Sequence, residues 1–288
     1  MRENREAKKF RRIVRAALKE DIGRGDITTD PLVGSDEQAL GIIFPKQDGI
    51  LCGIHIAAMV FDELDERIVF RSEMHDGDRF TPGMTLATVT GSAATCLKGE
   101  RTALNFLQHL SGIATMTRQF VDAVQDRIKI LDTRKTLPGL RVMEKYAVRT
   151  GGGHNHRLGL YDMVLIKDNH IEIAGSITNA VHTIRKKHRK KFIEVEIQTF
   201  KQLEEVLGLP VDRIMLDNMT AGQITESVKI VRRSKPKLEI EVSGGIKLEN
   251  VESLCSSGID YVSVGALTHS ARAVDIAMQL KLIRNSAR

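Results

Sequence analysis

The sequence predicts an α/β protein in which a C-terminal βα barrel, open or incomplete, follows an N-terminal α+β sandwich domain. Three observations carry that expectation. Short apolar runs at 128–131, 163–166, 192–195, 213–216, 238–242 and 261–264 recur with helical patterns between them, and strands that alternate with helices pair in parallel. The chain before the first of these runs reads instead as a helix followed by short strands at turn formers. No Gly-x-Gly-x-x-Gly follows a first strand, which favours a barrel over a dinucleotide-binding sheet. The expected division is a first domain over 1–112 and a barrel over 113–270, with a helix over 271–288 packing back on the first domain.

The elements follow in order. Phe10, Ile13, Val14, Ala17 and Leu18 share one helical face, so residues 6–19 form an amphipathic helix. Leu40–Phe44 and Ile50–Ile54 flank Asp48-Gly49 and read as a hairpin, with further strands at Ile68–Phe70 and Met84–Val89. From Thr102 to Arg127 the spacing of Leu104, Leu107, Leu110, Ile113, Phe120 and Val124 is helical. The six strand-like runs come next, separated by patterns such as Phe200, Leu203, Val206 and Leu207.

The 288 residues are 42% hydrophobic, enough for a sizeable core. No run of eighteen apolar residues occurs and the N-terminus lacks the apolar stretch of a signal peptide, so a cytoplasmic protein without membrane contact is expected. Cys52, Cys96 and Cys255 are far apart with no Cys-x-x-Cys and read as core fillers. The net charge of +6 fits nucleic acid, lipid or an anionic metabolite alike. The largest basic run, His182–Lys191, follows a helical pattern and reads as the solvated end of a helix. RNA binding would call for stacking rings, whereas aromatics are only 4% of the chain and Trp is absent.

The site signal lies between Ile130 and Ile171, where ten Arg, Lys and His residues adjoin glycines and the ends of apolar runs. The run ends carry Asp132 with Arg134 and Lys135, then Lys167, Glu196, Asp217 with Asn218, Ser243-Gly244-Gly245 and Gly265. In a βα barrel these ends converge on the rim that holds active sites. Arg134, Lys135, Arg157 and Lys167 supply four cations for a ligand with several carboxylates or phosphates. The two glycine segments let backbone N–H groups approach a phosphate. Glu196 and Asp217 can hold Mg²⁺ on a pyrophosphate or stabilise developing positive charge. Glu194 is expected to face away from Glu196, leaving Glu196 as the carboxylate of the site. His154, His156 and His170 could suggest zinc, but the adjoining cations oppose a dication.

These residues resemble the decarboxylating nicotinate-nucleotide pyrophosphorylases, also called quinolinate phosphoribosyltransferases. The match takes in Glu20-Asp21-Ile22-Gly23, Gly25-Asp26-Ile27-Thr28, Gly99-Glu100-Arg101-Thr102, the segment 130–171, Glu194-Val195-Glu196, Leu216-Asp217-Asn218, Ser243-Gly244-Gly245 and Val264-Gly265-Ala266. The resemblance implies that quinolinate and phosphoribosyl pyrophosphate react to nicotinate mononucleotide, CO₂ and pyrophosphate, in NAD biosynthesis, with Mg²⁺ and no organic cofactor. It implies that Arg134, His156, Arg157 and Lys167 hold the pyridine dicarboxylate, with Arg101 from the second subunit of a homodimer. Lys135, Glu196, Asp217 and the loops at Ser243, Gly244, Gly245 and Gly265 would surround the phosphoribosyl donor. A molybdenum-transport-associated relative of the same fold, and a non-catalytic anion or RNA binder, are the rival expectations.

Overall fold

The computed structural model describes residues 5–284. The chain divides into two compact units: one drawn from the chain up to Arg118, Thr136–Gly152 and the chain from Thr268, the other from Gln119–Lys135 and Gly153–Leu267. By contacts, the segment around the helix Arg141–Thr150 and the C-terminal residues group with the first unit.

In chain order the strands are β1 (Gln38–Pro45), β2 (Gly49–Ile50), β3 (Val69–Ser72), β4 (Arg79–Phe80), β5 (Ala87–Ser92), β6 (Lys129–Leu131), β7 (Val164–Ile166), β8 (Ile193–Ile197), β9 (Arg213–Asp217), β10 (Glu239–Ser243), β11 (Tyr261–Ser263) and β12 (Ile276–Ile283). The first unit holds an antiparallel sheet in the order β12-β1-β5-β3. β1 alternates buried and half-buried residues along its length, the two-residue period of a strand with one face on a core. The helix Arg5–Ile22 buries Phe10, Val14 and Leu18, as its apolar stripe requires.

Two local expectations fail here. Asp48-Gly49 does not close a hairpin: β2 pairs with β4, and Ile54 opens the helix Ile54–Leu64. A Cβ on Gly49 would stand 2.6 Å from the Phe80 ring, so the glycine serves the contact with β4. The C-terminal segment is not a helix. Despite its Met, Gln, Leu and Lys, good helix formers, Ile276–Ile283 pairs with β1 from Gln38↔Ile283 to Pro45↔Ile276. Satisfying the backbone edge of β1 outweighs propensity. Gly41 leaves room for it, since a Cβ there would meet the Met278 sulfur at 2.9 Å. Residues 285–288 of the expected helix lie outside the described residues.

The second unit is a six-stranded parallel sheet in the order β6-β11-β10-β9-β8-β7. That order follows the chain around a barrel, with the seam between β6 and β7, which share no ladder. Beside the seam His154 makes an isolated parallel bridge to Leu131. β8 is buried at every position and β9 and β10 at their centres, as strands covered on both faces must be. Helices Ile177–Lys187, Phe200–Leu207 and Ala221–Ser234 begin at side-chain caps from Ser176, Thr199 and Thr220.

The basic run 182–191 closes the first of these helices. Arg185, Lys186 and Lys187 stand in its last turn, where cations complement the helix dipole. Arg185 also donates to the carbonyls of Arg189, Lys191 and Pro210 and pairs with Asp212. Its cation thus fastens a helix end. Cys52 and Cys96 are buried and Cys255 half-buried. No described helix is long and apolar enough to cross a membrane.

Candidate active site

The C-terminal ends of the barrel strands enclose a cavity of about 470 Å³ lined wholly by the second unit. The end of β6 contributes Thr133, Arg134 and Lys135, and β7 contributes Leu165 and Lys167. β8 supplies Glu196, β9 Met215 and Asp217, β10 Glu241 and Ser243, and β11 Ser263. His156 and Arg157 enter from the segment that crosses the seam. Arg134, Lys135, His156, Arg157, Lys167, Glu196, Asp217 and Ser243 are therefore brought together. Gly244, Gly245 and Gly265 follow β10 and β11 outside the lining. Arg101 stands on an exposed face of the helix Ala93–Val124 in the first unit.

The cavity lining combines cations with carboxylates. Arg157 is buried, and its pKa is lowered first by that burial and then by the neighbouring Arg134 charge. Two guanidiniums that feel each other's charge favour a ligand's negative charge between them. Lys167 Nζ lies 2.5 Å from Glu196 Oε2, with Glu196 only 7% exposed. Asp217 Oδ2 accepts from Gln198 (3.2 Å) and Asn218 (2.8 Å).

Asn218 has φ 53°, uncommon for a side-chain residue. Gly244 explains how it is held. With φ 93°, Gly244 sits where a Cβ would come within 2.1 Å of Asn218 Oδ1. The second glycine, Gly245, has φ 64° and open space around its Cα. The Ser-Gly-Gly sequence thus serves one close packing contact and one left-handed turn.

The strand reading of Glu194 is overturned. Residues two apart on a strand share a face, so Glu194 enters the barrel interior below Glu196. It is fully buried, as is Glu241 on β10. His156 Nε2 lies 3.0 Å from Glu194 and 3.5 Å from Glu241. Its Nδ1 accepts the Arg157 amide at 2.7 Å. Asp132, also fully buried, accepts the His156 amide at 2.8 Å and the Asn155 side chain at 2.6 Å. His156 Nδ1 is thus engaged by the main chain, Nε2 faces the two buried carboxylates, and the residue also lines the cavity.

Protons in this cluster are shared. Burial and the Glu241 charge push Glu194 up to about 7, whereas hydrogen bonds from His156 and Ser263 hold Glu241 down against its burial. Burial would lower His156, but its bonds to the two carboxylates raise it to about 9. Below the cluster Arg213 reaches Glu241 (3.2 Å) and Glu239 (2.7 Å) and lies 4.0 Å from the centre of the Tyr261 ring. Among the described residues, His156, Glu194 and Glu241 are the grouping whose donor atoms could meet at one metal ion; His154 and His170 are not part of it.

Glu241 was legible as a charge inside the apolar run 238–242, a pattern that marks an inward-facing polar position, and sequence reading passed over it. Asp132, read as one more polar residue at a strand end, is the brace for the segment 154–157.

A parallel barrel whose strand ends bring clustered cations and carboxylates to one cavity suits the binding of anionic substrates. Models of the quinolinate phosphoribosyl transferase N-terminal and C-terminal domains match residues 26–111 and 113–279, and the chain belongs to this family. The nicotinate-nucleotide pyrophosphorylase (carboxylating) of Mycobacterium leprae is 43% identical over 273 residues, 93% of this chain and 95% of that protein. Among solved structures, NadC from Streptococcus pyogenes superposes with a TM-score of 0.92 at 41% identity, covering 96% of this chain and 98% of its own. The nicotinate-nucleotide pyrophosphorylase of Ehrlichia chaffeensis gives 0.90 at 40% identity, covering 98% and 100%.

Proposed function

We propose that this chain is a decarboxylating phosphoribosyltransferase that joins quinolinate to phosphoribosyl pyrophosphate, releasing nicotinate mononucleotide, CO₂ and pyrophosphate in NAD biosynthesis. The observation that carries the reading is one cavity lined by the cations Arg134, Arg157 and Lys167 together with the carboxylates Glu196 and Asp217. A pyridine dicarboxylate needs fixed cations at two adjacent ring positions, and guanidinium forks match carboxylates. The family membership supplies the substrate pair.

In this reading Arg134, Arg157 and Lys167 orient the dianion so that the pyridine nitrogen faces C1 of the ribose. The nitrogen attacks that carbon as the bond to pyrophosphate breaks. Positive charge develops on the sugar, and Glu196 and Asp217 stabilise it across the cavity. Lys135, exposed at the end of β6, neutralises the leaving group. Once alkylated, the ring accepts the electron pair released when the neighbouring carboxylate departs as CO₂, and that carbon then takes up a proton. No organic cofactor enters.

Mg²⁺, a hard cation suited to oxygen donors, would arrive with the pyrophosphate and aid its departure. Asp217 fits as its protein ligand because it stands at the rim with its carboxylate in the cavity lining; Glu196 is engaged by Lys167. Arg101, on the first unit, is assigned to the cavity of a second copy in a homodimer. The test is direct: incubation with quinolinate, phosphoribosyl pyrophosphate and Mg²⁺, following nicotinate mononucleotide. Stoichiometric product supports the reading, and no product with nicotinate turned over instead would overturn it.

A further inference from the structure

The segment that carries His156 and Arg157 into the cavity crosses the seam, where β6 and β7 share no ladder. Its register is set against β6. The His154 amide donates to the Ile130 carbonyl at 2.8 Å, and the His154 carbonyl accepts the Asp132 amide at 3.0 Å. Beyond that single bridge a side chain takes over. The Asp132 carboxylate accepts the His156 amide on Oδ1 (2.8 Å) and the Asn155 side-chain amide on Oδ2 (2.6 Å). Asp132 is fully buried, and the desolvation of a carboxylate there is offset by charge-assisted bonds of this kind. What lies on either side gives the position its interest. Arg134 stands two residues beyond Asp132, and Arg157 one residue beyond the amide that Asp132 holds. Both line the cavity, near enough for the Arg134 charge to lower the Arg157 pKa.

We propose that Asp132 is a positioning residue for dicarboxylate binding: it fixes the chain at Asn155 and His156 and so presets where His156 and Arg157 stand relative to Arg134 before quinolinate arrives. This deepens the assignment of the cavity to quinolinate and rests on it. One rigid carboxylate bonded at two points leaves the segment little freedom to slide or twist. A segment without that brace would have to be ordered during binding, and the cost of ordering is subtracted from affinity. The phosphoribosyl donor is met in this reading by Lys135 and Asp217, on strand ends whose own ladders, β6 with β11 and β9 with β8 and β10, do not involve the seam segment. Losing the brace therefore falls on one substrate and spares the other.

The experiment measures KM for each substrate in the full-length enzyme and in Asp132→Ala, Asp132→Asn, Arg157→Ala and the Asp132→Ala, Arg157→Ala pair. Asp132→Ala raises KM for quinolinate about tenfold or more and leaves KM for phosphoribosyl pyrophosphate within about twofold. Asp132→Asn keeps an acceptor for the His156 amide and stays within about threefold of wild type for both. If the buried charge and not the brace mattered, the Asn and Ala variants would behave alike, and that result overturns the proposal. With Arg157 already replaced, Asp132→Ala raises KM for quinolinate by less than it does alone, because much of what it positions is gone. Full additivity, or equal rises in both KM values, overturns it as well. Should Asp132→Ala not fold, amide hydrogen exchange of the wild type decides. A His156 amide protected before quinolinate is added agrees with a preset segment; one protected only after quinolinate binds refutes it. If the wild type does not turn over quinolinate, the functional reading fails while the exchange measurement still judges the segment, so the two failures stay distinct.

Discussion

Replacing Lys167 by alanine separates two losses that the geometry makes distinct. In the free protein Lys167 Nζ is 2.5 Å from Glu196 Oε2, and the Glu196 side chain is 7% exposed. Removing the ammonium leaves a nearly buried carboxylate short of its cation. Hydrogen bonds to charged groups contribute about 1.5–3 kcal/mol. Because the Lys167 side chain is 43% exposed, the lower part of that range applies, about 1.5–2 kcal/mol. At about 2–4 °C per kcal/mol for a chain of this length, Tm falls by about 3–8 °C. The second loss is felt only with substrate: a carboxylate of quinolinate loses its cation in the cavity. About 3 kcal/mol of transition-state binding corresponds to roughly a hundredfold drop in kcat/KM. The assay is initial-rate formation of nicotinate mononucleotide with quinolinate varied at saturating donor, paired with calorimetric Tm. Adding Glu196→Gln removes the orphaned charge, so most of the lost Tm returns while kcat/KM does not. A kcat/KM for Lys167→Ala within threefold of wild type would refute the role, and a Tm that Glu196→Gln fails to restore would refute the ion-pair argument.

Other outcomes follow from the same structure. Arg213→Met leaves fully buried Glu241 without its guanidinium and lowers unfolding free energy by about 3–5 kcal/mol in urea titration; a loss below about 1 kcal/mol would mean the pair contributes little. Gly244→Ala forces a Cβ to within 2.1 Å of Asn218 Oδ1 at φ 93° and displaces Asn218 beside Asp217, so KM for the phosphoribosyl donor rises at least severalfold on kinetic assay. Mixing Arg101→Ala and Lys135→Ala proteins restores part of the activity if sites are shared between copies; no recovery, with subunit exchange confirmed, counts against sharing. Asp76 accepts from Tyr146 (2.7 Å), His55 (3.1 Å) and the Ile54 amide (3.0 Å); burial, the largest single effect, raises its pKa, but the hydrogen bonds together outweigh it and the pKa is lowered. A depressed carboxylate stabilises the fold above its unfolded pKa, about 3.9, and that contribution is lost as pH falls through the lower folded value. Wild-type Tm therefore drops below about pH 4 more steeply than that of Asp76→Asn; identical slopes would exclude the linkage.

What the sequence revealed divides by range. The six barrel strands were legible because each is a short apolar run between helical patterns, and the rim residues because they end those runs. Two things were not. Strand β12 looked helical, since only its distant partner β1 makes it a strand, and no local pattern reports a partner that far along the chain. The buried carboxylates inside the barrel were hidden as well: Glu194 shares a face with Glu196 and was given the opposite one, and Glu241 lies within an apolar run. The mixed charge of the cavity lining was visible in the order of residues; the layer beneath it required the barrel to close.

The pairing of β1 with β12 has a consequence for synthesis. Gln38 faces Ile283, so one edge of the first sheet waits bare until residues about 240 positions later have been made. Pairings this distant in sequence form slowly, and an unpaired edge invites other strands in the meantime. The polypeptide thus acquires its first-made sheet last, and a truncation or bulky fusion that hinders residues 276–283 should harm yield through β1, at the opposite end of the chain.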